Sequence, residues 1–304
     1  MITKQNRFVT TLFYLLLAFL AIIFLAPIAI VGYNSFKGKL YIMNSPFLFP
    51  NEATFESGNY IRGIVNSGFF GRSITSAIVG KDAEYLSAVQ RLEPMGAFGR
   101  SVFITVFSVA VLLLFSSMCA WYINRANTKF CRILYYVFVF SMIVPFQMVM
   151  YTMTSVVTKL ELNNPLGIIF VYLGFGAGLS VFMYSGFVKS IPREIEEAAM
   201  IDGCNPLQMF FRVVFPVLKP ITVTVAILQT MWIWNDYLLP YLILGSKFKT
   251  IPVAVQLAMQ GAYGSVDWGS FMALLVIAII PIIIFYLFGQ KYIISGVIAG
   301  AVKG

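Results

Sequence analysis

Six stretches of this chain are long, apolar and almost free of charge, and polar residues return between them. They run roughly from Phe8 to Val31, Ser101 to Ile123, Ile133 to Met153, Leu166 to Val188, Pro220 to Leu242 and Trp268 to Gly289. A hydrocarbon core of about 30 Å takes about 20 residues of helix, and each stretch reaches that length. In lipid every backbone polar group must be bonded internally, so such stretches are helices. The pattern predicts an all-α polytopic membrane protein with six transmembrane helices. The first stretch follows Lys4 and Arg7 as a signal peptide would. It stays uncharged from Phe8 to Phe36, longer than an h-region, and no small-residue cleavage site closes it, so it is expected to be retained.

The polar segments set the orientation. Cations in short loops mark the cytoplasmic side. Lys4, Arg7, Arg125, Lys129, Arg132, Lys189, Arg193, Arg212, Lys219, Lys291 and Lys303 fall on the side of the N-terminus, against Lys159, Lys247 and Lys249 in the short loops opposite. Both termini are therefore expected inside. Three regions follow: 1–32 with the first span, a long extracytoplasmic segment 33–100, and a five-span core 101–304 with a tail from 290 to 304. The segment 33–100 is mixed in charge and too long for the charge rule; within it, SAIVGKDAEYLSAVQRLEP could form a short helix.

Composition narrows the chemistry. With 60% hydrophobic and 11% charged residues the chain cannot cover a water-facing surface. Its net charge of +9 then reads as orientation and contact with lipid headgroups rather than nucleic-acid binding. There is no histidine, and Cys119, Cys131 and Cys204 have neither metal-site nor disulfide-framework spacing. With no G-x-S-x-G elbow and no P-loop, the chain is not expected to be an enzyme or to bind a cofactor.

The stretch Ile191 to Pro220 holds Glu194, Glu196, Glu197 and Asp202. Its grammar is two short helices with a break between them. Pro192 suits a first helical turn, Arg193 to Ile201 favours helix, and Gly203 stands where a left-handed C-terminal residue belongs. Asn205 offers an N-cap and Pro206 an N1 position. Leu207, Phe210, Phe211 and Val214 follow at helical spacing as one apolar face ending at Pro216. The carboxylates admit three readings: a catalytic pair, which lacks any accompanying base or nucleophile, a solvated face, and a docking surface.

Glu197-Ala198-Ala199, three residues, Gly203, nine residues, then Val213-Val214-Phe215-Pro216 resembles the EAA loop of binding-protein-dependent ABC importer permeases, E-A-A-x3-G-x9-I-x-L-P, with Val213 for Ile and Phe215 for Leu. Ile143-Val144-Pro145, Ile191-Pro192, Ile201-Asp202-Gly203, Trp234-Asn235-Asp236 and the tail Ala301-Val302-Lys303-Gly304 resemble the carbohydrate-uptake branch, in particular its maltose-type six-span subunit. Residues 61–99 have no counterpart in that resemblance.

The resemblance implies a permease of the bacterial cytoplasmic (inner) membrane. Its partners would be a second, non-identical permease subunit, two ATPases carrying ATP and Mg, and an extracytoplasmic substrate-binding protein delivering a carbohydrate. The loop 190–219 would be a cytoplasmic coupling helix-turn-helix between spans four and five. Its ATPase-coupling residues would be Glu197, Ala198, Ala199, Asp202, Gly203 and Pro216, with Lys303 and Gly304 of the tail as further contacts.

Trp234, Asn235 and Asp236 fit either an interfacial aromatic belt or a path-lining cluster, and Gln147 and Gln229 have similar status. Gly174 and Gly178 form a small-xxx-small pair suited to packing, and Pro27, Pro145 and Pro281 are expected to kink their helices. The competing class is a self-sufficient ion-coupled secondary transporter. It would want ionisable groups at the bilayer midplane and inverted halves, where the sequence offers only Asp236 and no halves.

Overall fold

The computed structural model describes residues 7–80, 82–260 and 266–301, and among them it is helical, with one isolated bridge between Lys37 and Phe55. The chain divides into two units, 1–94 with 254–280, and 95–253 with 281–304.

The first unit begins with α1 (Arg7–Asn34). From Val9 to Ile30 none of its side chains is buried. Its end is fastened instead: Asn59 Nδ2 donates to the carbonyls of Ser35 and Lys37, both at 2.9 Å. Four short helices follow, α2 (Lys39–Asn44), α3 (Asn59–Ser67), α4 (Arg72–Val79) and α5 (Ala83–Gln90). The last two replace the single short helix expected there, and Gly80 at φ +67° separates them. Arg62 on α3 pairs with Glu56 and, at 3.3 Å, with Asp267. A Cβ at Gly63 would come within 2.8 Å of the Ser270 carbonyl, so only glycine allows this approach.

The second unit is built on α6 (Ala97–Ala126), followed by α7 (Lys129–Ser141), α8 (Phe146–Lys159) and α9 (Gly167–Val188). After a short turn come α10 (Arg193–Ile201), α11 (Pro206–Met209), a π-helical turn at Phe210–Val214 and α12 (Phe215–Val217). Then follow α13 (Lys219–Asn235) and α14 (Leu238–Leu244). Two helices run across the division of the chain, α15 (Ile251–Gln260) and α16 (Trp268–Ala301).

Close contact of α6 and α9 rests on Gly176, where a Cβ would lie 2.9 Å from Leu112. Gly178 does the same for α7, its Cβ position 2.6 Å from Ser141 Oγ and 2.7 Å from the Phe138 carbonyl. Gly174 faces nothing within 4 Å, so the small-residue contact is made by Gly176 and Gly178, not by the expected pair.

Among the described residues four helices are long and apolar enough to cross a membrane unbroken: Val9–Asn34, Ala97–Ala126, Gly167–Val188 and Trp268–Gln290. The count reaches six if each of two bent pairs is one span. The third expected span is broken, since α7 and α8 meet at 107° across Met142–Pro145. The fifth, expected to reach Leu242, leaves the helix after Asn235, where Asp236 turns extended with ψ 122°. Pro27 and Pro281 lie inside continuous helices.

Candidate functional site

The helix-turn-helix at 193–217 forms as its residues dictate. Pro192 precedes α10 with φ −58° and ψ 138°. The helix closes with the Gly203 N–H donating to Met200 and the Cys204 N–H to Ala199, both at 3.0 Å, around Gly203 at φ +82°. Asn205 then caps α11 in a reciprocal box: its Oδ1 accepts from the Gln208 N–H at 2.9 Å, while Gln208 Oε1 accepts from the Asn205 N–H at 3.1 Å.

The second helix departs from a simple helical face. The π turn at 210–214 places an extra residue in the turn. Met209, Phe210, Val214 and Leu218 are consequently buried, whereas Leu207 and Phe211, expected beside them, are exposed. The segment also continues past Pro216 to Val217 before turning by 78° into α13.

α10 is two-faced. Glu196 and Ala199 point inward, while Glu197, Ala198, Asp202 and Gly203 are exposed, as is Pro216 on α12. Glu196, just outside the Glu197-Ala198-Ala199 motif, is the acid of this stretch that the protein interior holds. Its Oε1 accepts from Arg125 Nε at 2.8 Å and Nη2 at 2.7 Å, and its Oε2 from Trp121 Nε1 at 3.0 Å. Arg125 Nη2 also donates to the Ile191 carbonyl at 3.1 Å. Trp121 in turn sets its ring 5.6 Å from that of Phe210. Both arms of the loop are thereby fixed to the end of α6. Glu196 lies three residues before Ala199, on one helical face, and that spacing is the signal that could have separated it from Glu197.

The intramembrane candidates do not gather at one place. Gln147 is exposed on the first turn of α8. Gln229 is buried between α13 and α9, donating to the Gly176 carbonyl at 3.2 Å and to Ser180 Oγ at 3.0 Å. Asn235 is exposed and bonds back to the Met231 carbonyl at 2.7 Å. Asp236 accepts from Tyr172 Oη at 3.1 Å and from the Leu238 N–H at 3.0 Å, capping the start of α14. Trp234 packs edge-on to Phe98 and, with Phe285, lines a cavity of about 470 Å³ among α6, α13 and the middle of α16. Its wall is apolar apart from Thr105 and Thr230. Lys303 and Gly304 lie outside the described residues.

Residues 112–298 match the family described as binding-protein-dependent transport system inner membrane component. The chain is 34% identical over 285 residues to the probable starch degradation products transport system permease protein AmyC of Thermoanaerobacterium thermosulfurigenes, covering 93% of each. It is 36% identical over 295 residues to the multiple sugar-binding transport system permease protein MsmG of Streptococcus mutans, covering 95% of this chain and 96% of that one. Its fold is that of a chain in the crystal structure of a bacterial ABC transporter involved in the import of alginate, with a TM-score of 0.70, 21% identity and coverage of 96% and 99%. The chain belongs to the inner membrane component family of binding-protein-dependent transport systems and is a multi-pass protein of the cytoplasmic membrane.

Proposed function

We propose that this chain is the permease subunit of an ATP-driven importer, that it passes a sugar or oligosaccharide from an external binding protein to the cytoplasm, and that the 193–217 loop couples it to partner ATPases. The carrying observation is the division of α10 into a fastened face and a bare one. Ile201 is 87% exposed, and Met200, Leu207 and Phe211 are exposed beside it. Large apolar groups bare on a polar loop call for a protein cover. Ala198 allows close approach, and Glu197 and Asp202 can accept charge-assisted hydrogen bonds at the rim.

In this reading the chain has six spans with both termini in the cytoplasm, α7 with α8 forming the third crossing and α13 the fifth, and 193–217 lying outside the membrane on the cytoplasmic side. A second permease subunit, two ATPases carrying ATP and Mg, and the binding protein complete the assembly. The sugar class rests on relatives named for starch degradation products and multiple sugars. Closure of the ATPases would push α10, and the push would pass into α9 and α13 through the chain and into α6 through Glu196 and Arg125. A rigid segment transmits such a displacement where a loose loop would absorb it.

The test is co-purification from the native membrane, reconstitution with the binding protein, and measurement of ATPase activity and uptake across a panel of oligosaccharides. At least one sugar is expected to stimulate both. Glu197→Lys is expected to leave binding-protein docking intact while ATP-driven uptake falls to background. Uptake by the lone chain without ATPase would sink the proposal in favour of a secondary transporter.

A further inference from the structure

The first unit carries an apolar patch that coupling and transport leave unexplained. Between Lys39 and Glu52 the sequence LYIMNSPFLFPN contains no charge. Phe47 is 75% exposed and Phe49 76%, and Leu48, Leu40 and Met43 are exposed with them. Ile42, in contrast, is buried, so α2 turns one residue inward and presents its neighbours outward.

The patch is tied to the end of α1. Asn34 Nδ2 donates to the Pro46 carbonyl at 2.8 Å, Tyr33 Oη to the same carbonyl at 3.0 Å, and Lys37 Nζ to the Ser45 carbonyl at 2.8 Å. The Tyr33 and Phe49 rings lie 4.8 Å apart. Pro46 and Pro50 bracket the three residues and restrict their backbone. The depth of the patch therefore follows from the depth of Tyr33 and Asn34.

The length of α1 sets that depth. The apolar span Val9–Asn34 has 26 residues. At about 1.5 Å each this is roughly 39 Å, more than a hydrocarbon core of about 30 Å and close to a bilayer with its headgroup regions. Asn34 thus falls among the headgroups, and the loop tethered to it cannot stand clear in water. We infer that Phe47, Leu48 and Phe49, with Leu40 and Met43, form a wedge seated at the headgroup and acyl boundary of the leaflet where α1 ends. Aromatic and large aliphatic side chains favour that zone. A binding protein that docks transiently would leave the patch facing water between visits, so the occupant is lipid.

The assembled transporter in lipid nanodiscs tests this. Cys119, Cys131 and Cys204 are replaced by alanine, and a nitroxide is placed at Leu48→Cys, with Ser87→Cys on the exposed face of α5 as reference. Relative to the reference, collisions with a water-soluble nickel complex are expected to fall several-fold while collisions with oxygen rise. Nickel accessibility equal to the reference overturns the inference by placing the loop in water. Loss of both kinds of collision with an immobilised label overturns it by placing a protein subunit there. Phe47→Cys, at a ring that stacks on no other among the described residues, repeats the measurement if the Leu48→Cys complex does not assemble.

Discussion

At the scale of single residues, the four acids of the 194–202 stretch separate into different jobs. Glu196 spends both oxygens inside the protein, on Arg125 and Trp121, while Glu197 and Asp202 face outward. Glu196→Ala would leave the Arg125 guanidinium, only 17% exposed, without its carboxylate. A loss of about 2 to 3 kcal/mol is expected, since breaking a buried pair strands the remaining charge. Glu196→Gln keeps an acceptor for Trp121 and is expected to assemble normally, yet to move less sugar per ATP hydrolysed. Uptake and ATPase rates measured on one preparation give that ratio. Gly203 offers a cleaner contrast, because a Cβ there would meet nothing within 4 Å and the whole demand is its φ of +82°. Gly203→Ala is expected to cost about 1 kcal/mol and retain uptake. Gly203→Pro cannot adopt that angle and is expected to abolish uptake in a correctly inserted chain.

Among the elements, helix contacts and helix ends carry different kinds of sequence demand. Gly178 is pressed against the last turn of α7, touching Ser141, Phe138 and Met142, while Gly174, one turn earlier on α9, faces open space. Gly178→Val is expected to destabilise the fold by about 1 to 3 kcal/mol through overpacking. Gly174→Ala should be neutral or slightly stabilising through helix propensity. Thermal aggregation of the two purified variants separates these outcomes. Asp236 acts as the cap of α14 and the acceptor of Tyr172, roles neither the belt nor the path reading contained. Asp236→Asn retains an acceptor for Leu238 and a partner for Tyr172, so assembly and flux should stay near wild type. Asp236→Ala leaves the Tyr172 hydroxyl and the first turn of α14 unpartnered, for a loss of about 2 kcal/mol in stability measurements.

For the whole molecule, what could be read from the sequence tracks how local the physics is. The bounds of α10, the left-handed Gly203 and the Asn205-Pro206 start of α11 depend on a few adjacent residues, and they appear where propensity and capping put them. The apolar runs were also legible, because lipid imposes length and polarity rather than particular side chains. The breaks within them were not. Pro27 and Pro281 sit inside continuous helices while Pro145 opens a new one at 107°, although each ring removes the same N–H. What differs is the docking of the end of α7 at Gly178, a contact 37 residues distant in the chain from Ser141. The bond of Glu196 to Arg125, with |i−j| of 71, was hidden for the same reason. The π turn at 210–214 likewise depends on burying Phe210 against Trp121 from another helix.

The bare flank of α1 has a further consequence for how this protein can vary. Among the described residues, none of the side chains from Leu12 to Ile30 is buried, so that stretch is specified as a length and a polarity. It can drift among apolar residues without disturbing the rest of the fold. Its specificity is concentrated in Tyr33, Asn34, Ser35 and Lys37, whose bonds to Pro46, Tyr60, Ser45 and Asn59 say where the helix stops. An unrelated apolar helix grafted ahead of Tyr33 would therefore inherit the same anchorage, which makes the first span an exchangeable part with a fixed socket.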